Sequence, residues 1–342
     1  MHPSSGLRSQ QAFSWFVNHL EKPSFSLKTR WAYLRNCEAL FREAYQIYSK
    51  KGRPFAVPGF GTRGEIILPT SSMRWALSQP DTLLSAWDVF VDIDQVHYSL
   101  GDVKYVGAPW QGNIVRKELN NILDVITASL DDELHVALNK YFGPDKQKWQ
   151  VIDLNYKVQM IVAQAASWFT VGLPLCTKAG WSKSRIANMV KADSVGRETM
   201  RLRSFTGRAI FRRVMVDGLI TDTEMHLPKG TILSFLGQPV HTDGALYEQS
   251  MKYDLFRFSR ATFVSTGPDY SPFGHGKHAC PGRFLVDFEL KMIISYVLTN
   301  YHLRFPDEDA QGGGKRPLNQ WLAEALFSPE GVKLCVRRRE GL

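Results

Sequence analysis

One stretch, SPFGHGKHACPGRFLVDFELKMIISYVLTNY (Ser271–Tyr301), limits what this chain can fold into more than any other. Gly274, Gly276 and Gly282 surround a single cysteine, Cys280, and Pro281 follows at once. Beyond it, Phe284, Leu285, Phe288, Met292, Ile293 and Val297 recur at helical spacing, which predicts a buried helix running to about Tyr301. Proline is favoured at the first helical position, where its missing N–H costs nothing. Cys280 is therefore predicted to be the N-cap, facing unbonded amides and the positive end of the helix dipole. That placement favours a thiolate.

Taken by themselves, these residues leave three chemistries open. A lone cysteine is most often a small buried hydrophobe. A nucleophile wants a histidine base and an orienting group; His275 and His278 are near, but their surroundings match no hydrolase motif. Zinc wants four ligands, and only His275, His278 and Cys280 are on hand. Haem needs one axial thiolate and cations for its propionates, and the glycine-rich approach with Phe273, His278 and Arg283 suits it best.

The rest of the chain sets the frame. Its 342 residues allow one large domain or two ordinary ones, and 44% apolar residues supply a core. The formal charge of +9 favours acidic partners. The basic residues are scattered, with one cluster at Arg337–Arg339, and no Lys/Arg block is interleaved with aromatics, so no nucleic-acid partner is expected. Cys37, Cys176, Cys280 and Cys335 lie far apart without a C-x-x-C, which argues against a disulfide framework and for an intracellular setting. No run of eighteen apolar residues predicts a membrane-spanning helix.

Along the chain, residues 1–25 read as a weakly ordered leader. Leu27–Lys51 reads as a helix with a stripe of Leu34, Cys37, Phe41, Tyr45 and Tyr48, closed by Gly52. Two short strands are expected within residues 55–68. Helices are expected over Asn113–Phe142, with a break near Asp131, over Asp153–Thr170 and over Ser184–Phe205. Strands follow in RAIFRRVMVDGLI and MHLPKGTILSFL, then an irregular stretch over 237–275, and GVKLCVRRR as a closing strand.

FGHGKHACPG resembles the haem-binding signature of cytochrome P-450 monooxygenases, F-x-x-G-x-[RH]-x-C-x-G, at Phe273, Gly276, His278, Cys280 and Gly282. Two further elements stand upstream in the family's order. Glu198-Thr-Met-Arg201 matches E-x-x-R, and YDLFRFSR is similar to the P-x-R-F meander, with Leu255 in place of the proline. The style of the loop is similar to that of fungal microsomal members. The resemblance implies a mainly α fold with small β-sheets, internally truncated, as one domain over 26–342. Within it, 26–177 would hold the N-terminal helices and first sheet, and 178–342 the E-x-x-R helix, meander and thiolate loop. It implies haem b as cofactor, with Cys280 as axial ligand to the iron. Phe273, Gly276, His278, Gly282 and Arg116 would lie around the haem. Glu198, Arg201 and Arg257 would form a structural triad. It also implies electrons from NADPH through a flavoprotein reductase, with Arg116, Lys117 and Lys277 as docking cations, and oxygen insertion into a lipophilic small molecule of secondary metabolism.

The sequence departs from the family in the middle. Members carry a long helix over the distal face, with an A/G-G-x-D/E-T signature whose acid and threonine help deliver protons. AGWSKS at 179–184 begins like it but lacks both. The chain passes between Leu175 and Gly180 almost directly to the lead-in of the E-x-x-R helix. No distal catalytic residue is identified, and the family's N-terminal anchor, which usually places members at the endoplasmic reticulum, is expected to be absent. The alternative function is a non-enzymatic haem-binding or interaction remnant.

Overall fold

The structure, a computed structural model, describes residues 25–59, 64–104, 110–171, 183–306 and 317–340. The expected leader, apart from Phe25, and the junction between Leu175 and Gly180 lie outside the described residues.

The first helix, α1 (Leu27–Ile47), starts where the Ser26 hydroxyl accepts the Thr29 N–H. It kinks at Asn36 (φ −127°, ψ 26°), which shifts the buried stripe. Cys37, Phe41 and Tyr45 face the core as expected, but Tyr33 replaces Leu34, which is exposed. A 3-10 turn over Ser49–Lys51 then ends at Gly52, whose φ of +72° suits glycine.

α1 covers one face of a five-stranded sheet built from β1 (Phe55–Val57), β2 (Glu65–Leu68), β3 (Leu84–Ser85), β5 (Arg208–Val214) and β8 (Ile232–Leu236). The spatial order is β1-β2-β8-β5-β3, parallel only between β2 and β8, with Ile66 opposite Leu233 and Leu68 opposite Phe235. Every residue of β2 is buried, because Met73, Ala76 and Val214 cover the other face. Before β5, α2 (Trp87–Ile93) packs against that strand.

A second core joins α3 (Leu123–Phe142), α4 (Leu154–Val171) and α6 (Arg283–Asn300), and α5 (Val190–Arg203) packs against α6. The break expected at Asp131 falls earlier, in a π-helical turn over Val115–Leu119 and a bend at Ile122 (φ −99°, ψ 13°). Asp131 is buried inside α3, 3.6 Å from His135 one turn on, so nothing there ends the helix. Ser184–Phe205 is not continuous either: Lys183–Ala187 is helical, Met189 (φ −81°, ψ 60°) interrupts, and α5 follows. The expected closing strand, β12 (Lys333–Arg338), is the centre of a sheet with β4 (Gln150–Asp153) and β9 (Tyr301–Arg304). Residues 237–275 are irregular apart from a short helix at Gln238–His241. Two hairpins, β6–β7 (Leu219–Ile220, His226–Leu227) and β10–β11 (Gln320–Leu322, Ala325–Phe327), complete the strands described.

The candidate functional site

Cys280 sits at the end of a loop, three residues before its helix. α6 begins at Arg283 with Gly282 as N-cap, so Cys280 is not the cap. The cause is local. Cys280, Pro281 and Gly282 make a turn in which the Cys280 carbonyl accepts from the Arg283 amide (3.5 Å) and from Arg283 Nη1 (2.7 Å). The Cys280 N–H donates to the Phe273 carbonyl at 2.8 Å, closing the loop. Gly274 (φ +70°) and Gly276 (φ +73°) turn the backbone between them through the left-handed region. A Cβ at Gly276 would sit 3.3 Å from the Leu77 side chain. A Cβ at Gly282 would lie 3.9 Å from Cys280 Sγ, at contact distance. The thiol is free and exposed, whereas Cys37 and Cys335 are buried.

Cys280 opens on a cavity of about 460 Å³. Loop residues Phe273 and His278 form one side, Trp87 and Phe90 of α2 another, and Arg116 and Arg212 supply positive charge. Phe273 is set by an edge-on contact with Phe263, ring centroids 5.3 Å apart. His278 bonds Asp81 (Nε2–Oδ1 2.9 Å) and meets Trp87 edge-on. Burial, with Arg212 nearby, holds the His278 pKa below its ordinary value, so the ring is neutral near pH 7 and donates to Asp81. Arg116 Nη2 donates to the Lys277 carbonyl at 3.2 Å. Lys277 lies 3.5 Å from Asp81.

Arg212 is the residue that sequence reasoning missed. It is buried; its Nη1 donates to the Phe211 carbonyl at 2.7 Å, and its Nη2 has no hydrogen-bond partner. Burial lowers its pKa to about 10, so it stays charged. A buried guanidinium with a spare N–H beside a cavity asks for an anion there. A readable signal existed: alternation along β5 puts Arg208, Ile210, Arg212 and Val214 on the buried side. The strand bulges between Ala209 and Arg212, where Ile210 takes φ +57°, a strained value for a β-branched residue.

Behind the loop, Glu198 and Arg201 of α5 are fully buried and paired twice, Nε–Oε2 at 2.7 Å and Nη2–Oε1 at 2.8 Å. Arg257 Nε joins Glu198 at 3.2 Å, as does the Asp254 amide at 3.0 Å. The remaining guanidinium N–H groups bind the irregular chain itself. Arg201 Nη1 donates to the His241 and Ser250 carbonyls, and Arg257 Nη1 to that of Glu248. Leu255, where the family has proline, is exposed.

The fold, helices around small sheets, is that of solved cytochromes P450. The retinoic acid-bound cyanobacterial CYP120A1 superposes with a TM-score of 0.64 at 13% identity, over 90% of this chain and 96% of that one. The cytochrome P450DA heme domain gives 0.61 at 13% identity, over 94% and 96%. Residues 178–336 match the family model for Cytochrome P450. The cytochrome P450 monooxygenase pbrC of Penicillium brasilianum is 31% identical, with 93% of this chain and 90% of that protein covered. The monooxygenase astC of Aspergillus terreus is 30% identical over the same shares. The chain belongs to the cytochrome P450 family. The alignment with the Penicillium protein runs over 485 positions against 342 residues here, so at least 143 positions inside the shared span have no counterpart in this chain. No described helix is long and apolar enough to cross a membrane.

Proposed function

We propose that the cavity at Cys280 takes haem and that the chain is a haem-dependent monooxygenase acting on a lipophilic small molecule of secondary metabolism. The observation that carries this reading is the pairing, across one cavity, of an exposed soft thiol with a buried guanidinium whose Nη2 has no hydrogen-bond partner. The residues fit the group. Cys280 Sγ would ligate the iron, and Arg212 and Arg116 would meet the propionates. Phe273 and Trp87 would give the ring apolar contact, and Gly282 would leave the sulfur uncrowded. When bound, haem supplies the activation of dioxygen and the transfer of one oxygen atom to substrate. The protein's part is to keep the sulfur in place through the backbone hydrogen bonds of Cys280 to Phe273 and Arg283, and to hold His278 neutral against Asp81.

Electrons from NADPH would arrive through a flavoprotein reductase whose acidic face meets Arg116, Lys117 and Lys277. The setting would be intracellular, at the endoplasmic reticulum. A non-enzymatic haem-binding remnant is the second reading, favoured by the unmatched positions and by the start of the family match at residue 178, beside the junction at Leu175–Gly180. Without a distal helix, the iron would be open to water.

The test is spectroscopic. The chain is expressed, loaded with haem, reduced and exposed to carbon monoxide. A Soret band at the thiolate-ligated position is expected, and Cys280→Ala should abolish it. The same spectrum from both proteins would refute the ligand assignment. Product formation with NADPH and a reductase then separates enzyme from remnant.

A further inference from the structure

Lys291 of α6 is 3% exposed, in the interior, where a cation must be paired. Its Nζ lies 3.0 Å from Asp193 Oδ1 of α5 and 3.0 Å from Asp287 one turn back. Asp193 is also enclosed, and its Oδ1 accepts the Phe263 backbone N–H at 2.7 Å. Phe263 begins a short route to the thiol. Its ring rests on α5 at Gly196, where a Cβ would come within 2.8 Å of it. The same ring meets Phe273, whose carbonyl accepts the Cys280 N–H. The next carbonyl, that of Val264, accepts Arg283 Nε at 3.1 Å, while Arg283 Nη1 holds the Cys280 carbonyl. Two of the three backbone hydrogen bonds of Cys280 therefore trace to residues 263 and 264, and Asp193 ties that segment to α5 alongside Arg197, whose Nη1 donates to the Thr262 and Ser265 carbonyls.

We infer that Lys291 and Asp193 are positioning residues for the cysteine loop: the buried lysine fixes the Asp193 carboxylate, which holds the Phe263–Val264 segment from which both polar backbone groups of Cys280 are set. Lys291 touches neither the thiol nor the cavity, so it acts through the loop alone. The arrangement differs from the Glu198 centre, which binds carbonyls of residues 241–252 and leaves 263–264 untouched.

The test is amide hydrogen exchange on the full-length chain as purified, without added haem, followed over residues 262–282 with β12 as the internal reference. Lys291→Met is expected to speed exchange over 262–282 by about tenfold or more while β12 keeps its wild-type rate. Asp193→Asn keeps an oxygen for the Phe263 N–H and should give a smaller rise confined to the same segment. Wild-type exchange over 262–282 in Lys291→Met overturns the inference. So does an equal rise in both segments, or an Asp193→Asn rise that includes β12. In haem-loaded protein, Lys291→Met should retain haem but move part of the carbon monoxide band to the neutral-thiol position. That second readout rests on the haem reading; the first does not, so a failure of either is told from a failure of the other.

Discussion

Two buried arginine centres hold this molecule together, and they are built to opposite plans. At the first, one carboxylate, Glu198, serves two arginines, and the surplus N–H groups bind backbone carbonyls of the irregular stretch over 241–252. At the second, one arginine, Arg208 of β5, serves two carboxylates. Its Nη1 lies 2.5 Å from Glu65 of β2, and Nε and Nη2 bind Glu324 in the β10–β11 turn. Ser234 accepts a further N–H at 3.1 Å, and the Tyr33 hydroxyl donates to Glu324 at 3.3 Å. The first centre pins chain that has no regular structure of its own. The second joins strands and a hairpin that already have theirs. An excess of donors suits loose backbone, which offers carbonyls; an excess of acceptors needs one donor with several N–H groups in a fixed fork.

Removing a member should separate the two plans. Arg208→Met leaves two carboxylates buried without a cation and is expected to cost about 5 kcal/mol, enough to prevent folding of a marginally stable chain, read as loss of the cooperative transition in urea. Glu198→Gln keeps the shape but strands two guanidinium groups. Its expected cost is about 3 kcal/mol, and limited proteolysis should cut first within 241–257. Cleavage starting instead at β10–β11 would mean that the two centres are not independent.

Acid offers a gentler probe of the first centre. His241 is enclosed, and its Nε2 accepts the Ser271 N–H at 3.0 Å. Burial, aided by Arg201 and Arg197, lowers its pKa from the ordinary 6.5 to about 3. The unfolded chain takes up this proton below 6.5 and the folded chain does not, so stability is full above that pH and falls as pH drops toward 3. Between pH 7 and pH 5 the loss should be about 2 kcal/mol by urea denaturation, and His241→Asn should flatten the slope. His278, held below its ordinary value, adds in the same direction. The smallest effect is expected outside both centres. The surface pair Arg42–Glu38 (2.7 Å) should yield less than about 0.5 kcal/mol on Glu38→Gln, and even that should fade in high salt.

The contrast also marks how far the sequence could be read. Glu198 and Arg201 are three residues apart on one helix, so a local motif names them. Arg208 lies 143 residues from Glu65 and 116 from Glu324, and no spacing rule spans that distance. The cysteine loop was legible because glycines, a thiol and a proline are contiguous. Its exact join to the helix was not, since turn and first helical turn compete for the same Cys280 carbonyl. Arg212 was placed on the buried side by the strand alternation, but alternation does not say whether a buried cation finds a partner, so its open Nη2 was not legible. Leu34 was misassigned because one kinked residue, Asn36, offsets the helical count.

The parallel pairing of β2 with β8 has a consequence for how the chain is made. Residues 65–68 can pair with β1 at once but cannot find their parallel neighbour until residues 232–236 have been synthesised, and the charge on Arg208 lacks one of its two carboxylates until Glu324 follows. Until β8 is made, the edge of β2 that it will pair with stays open. Contacts of such long sequence separation form slowly and leave strand edges open meanwhile. The five-stranded sheet and its buried arginine are therefore completed only when residues 232–236 and Glu324 are both present.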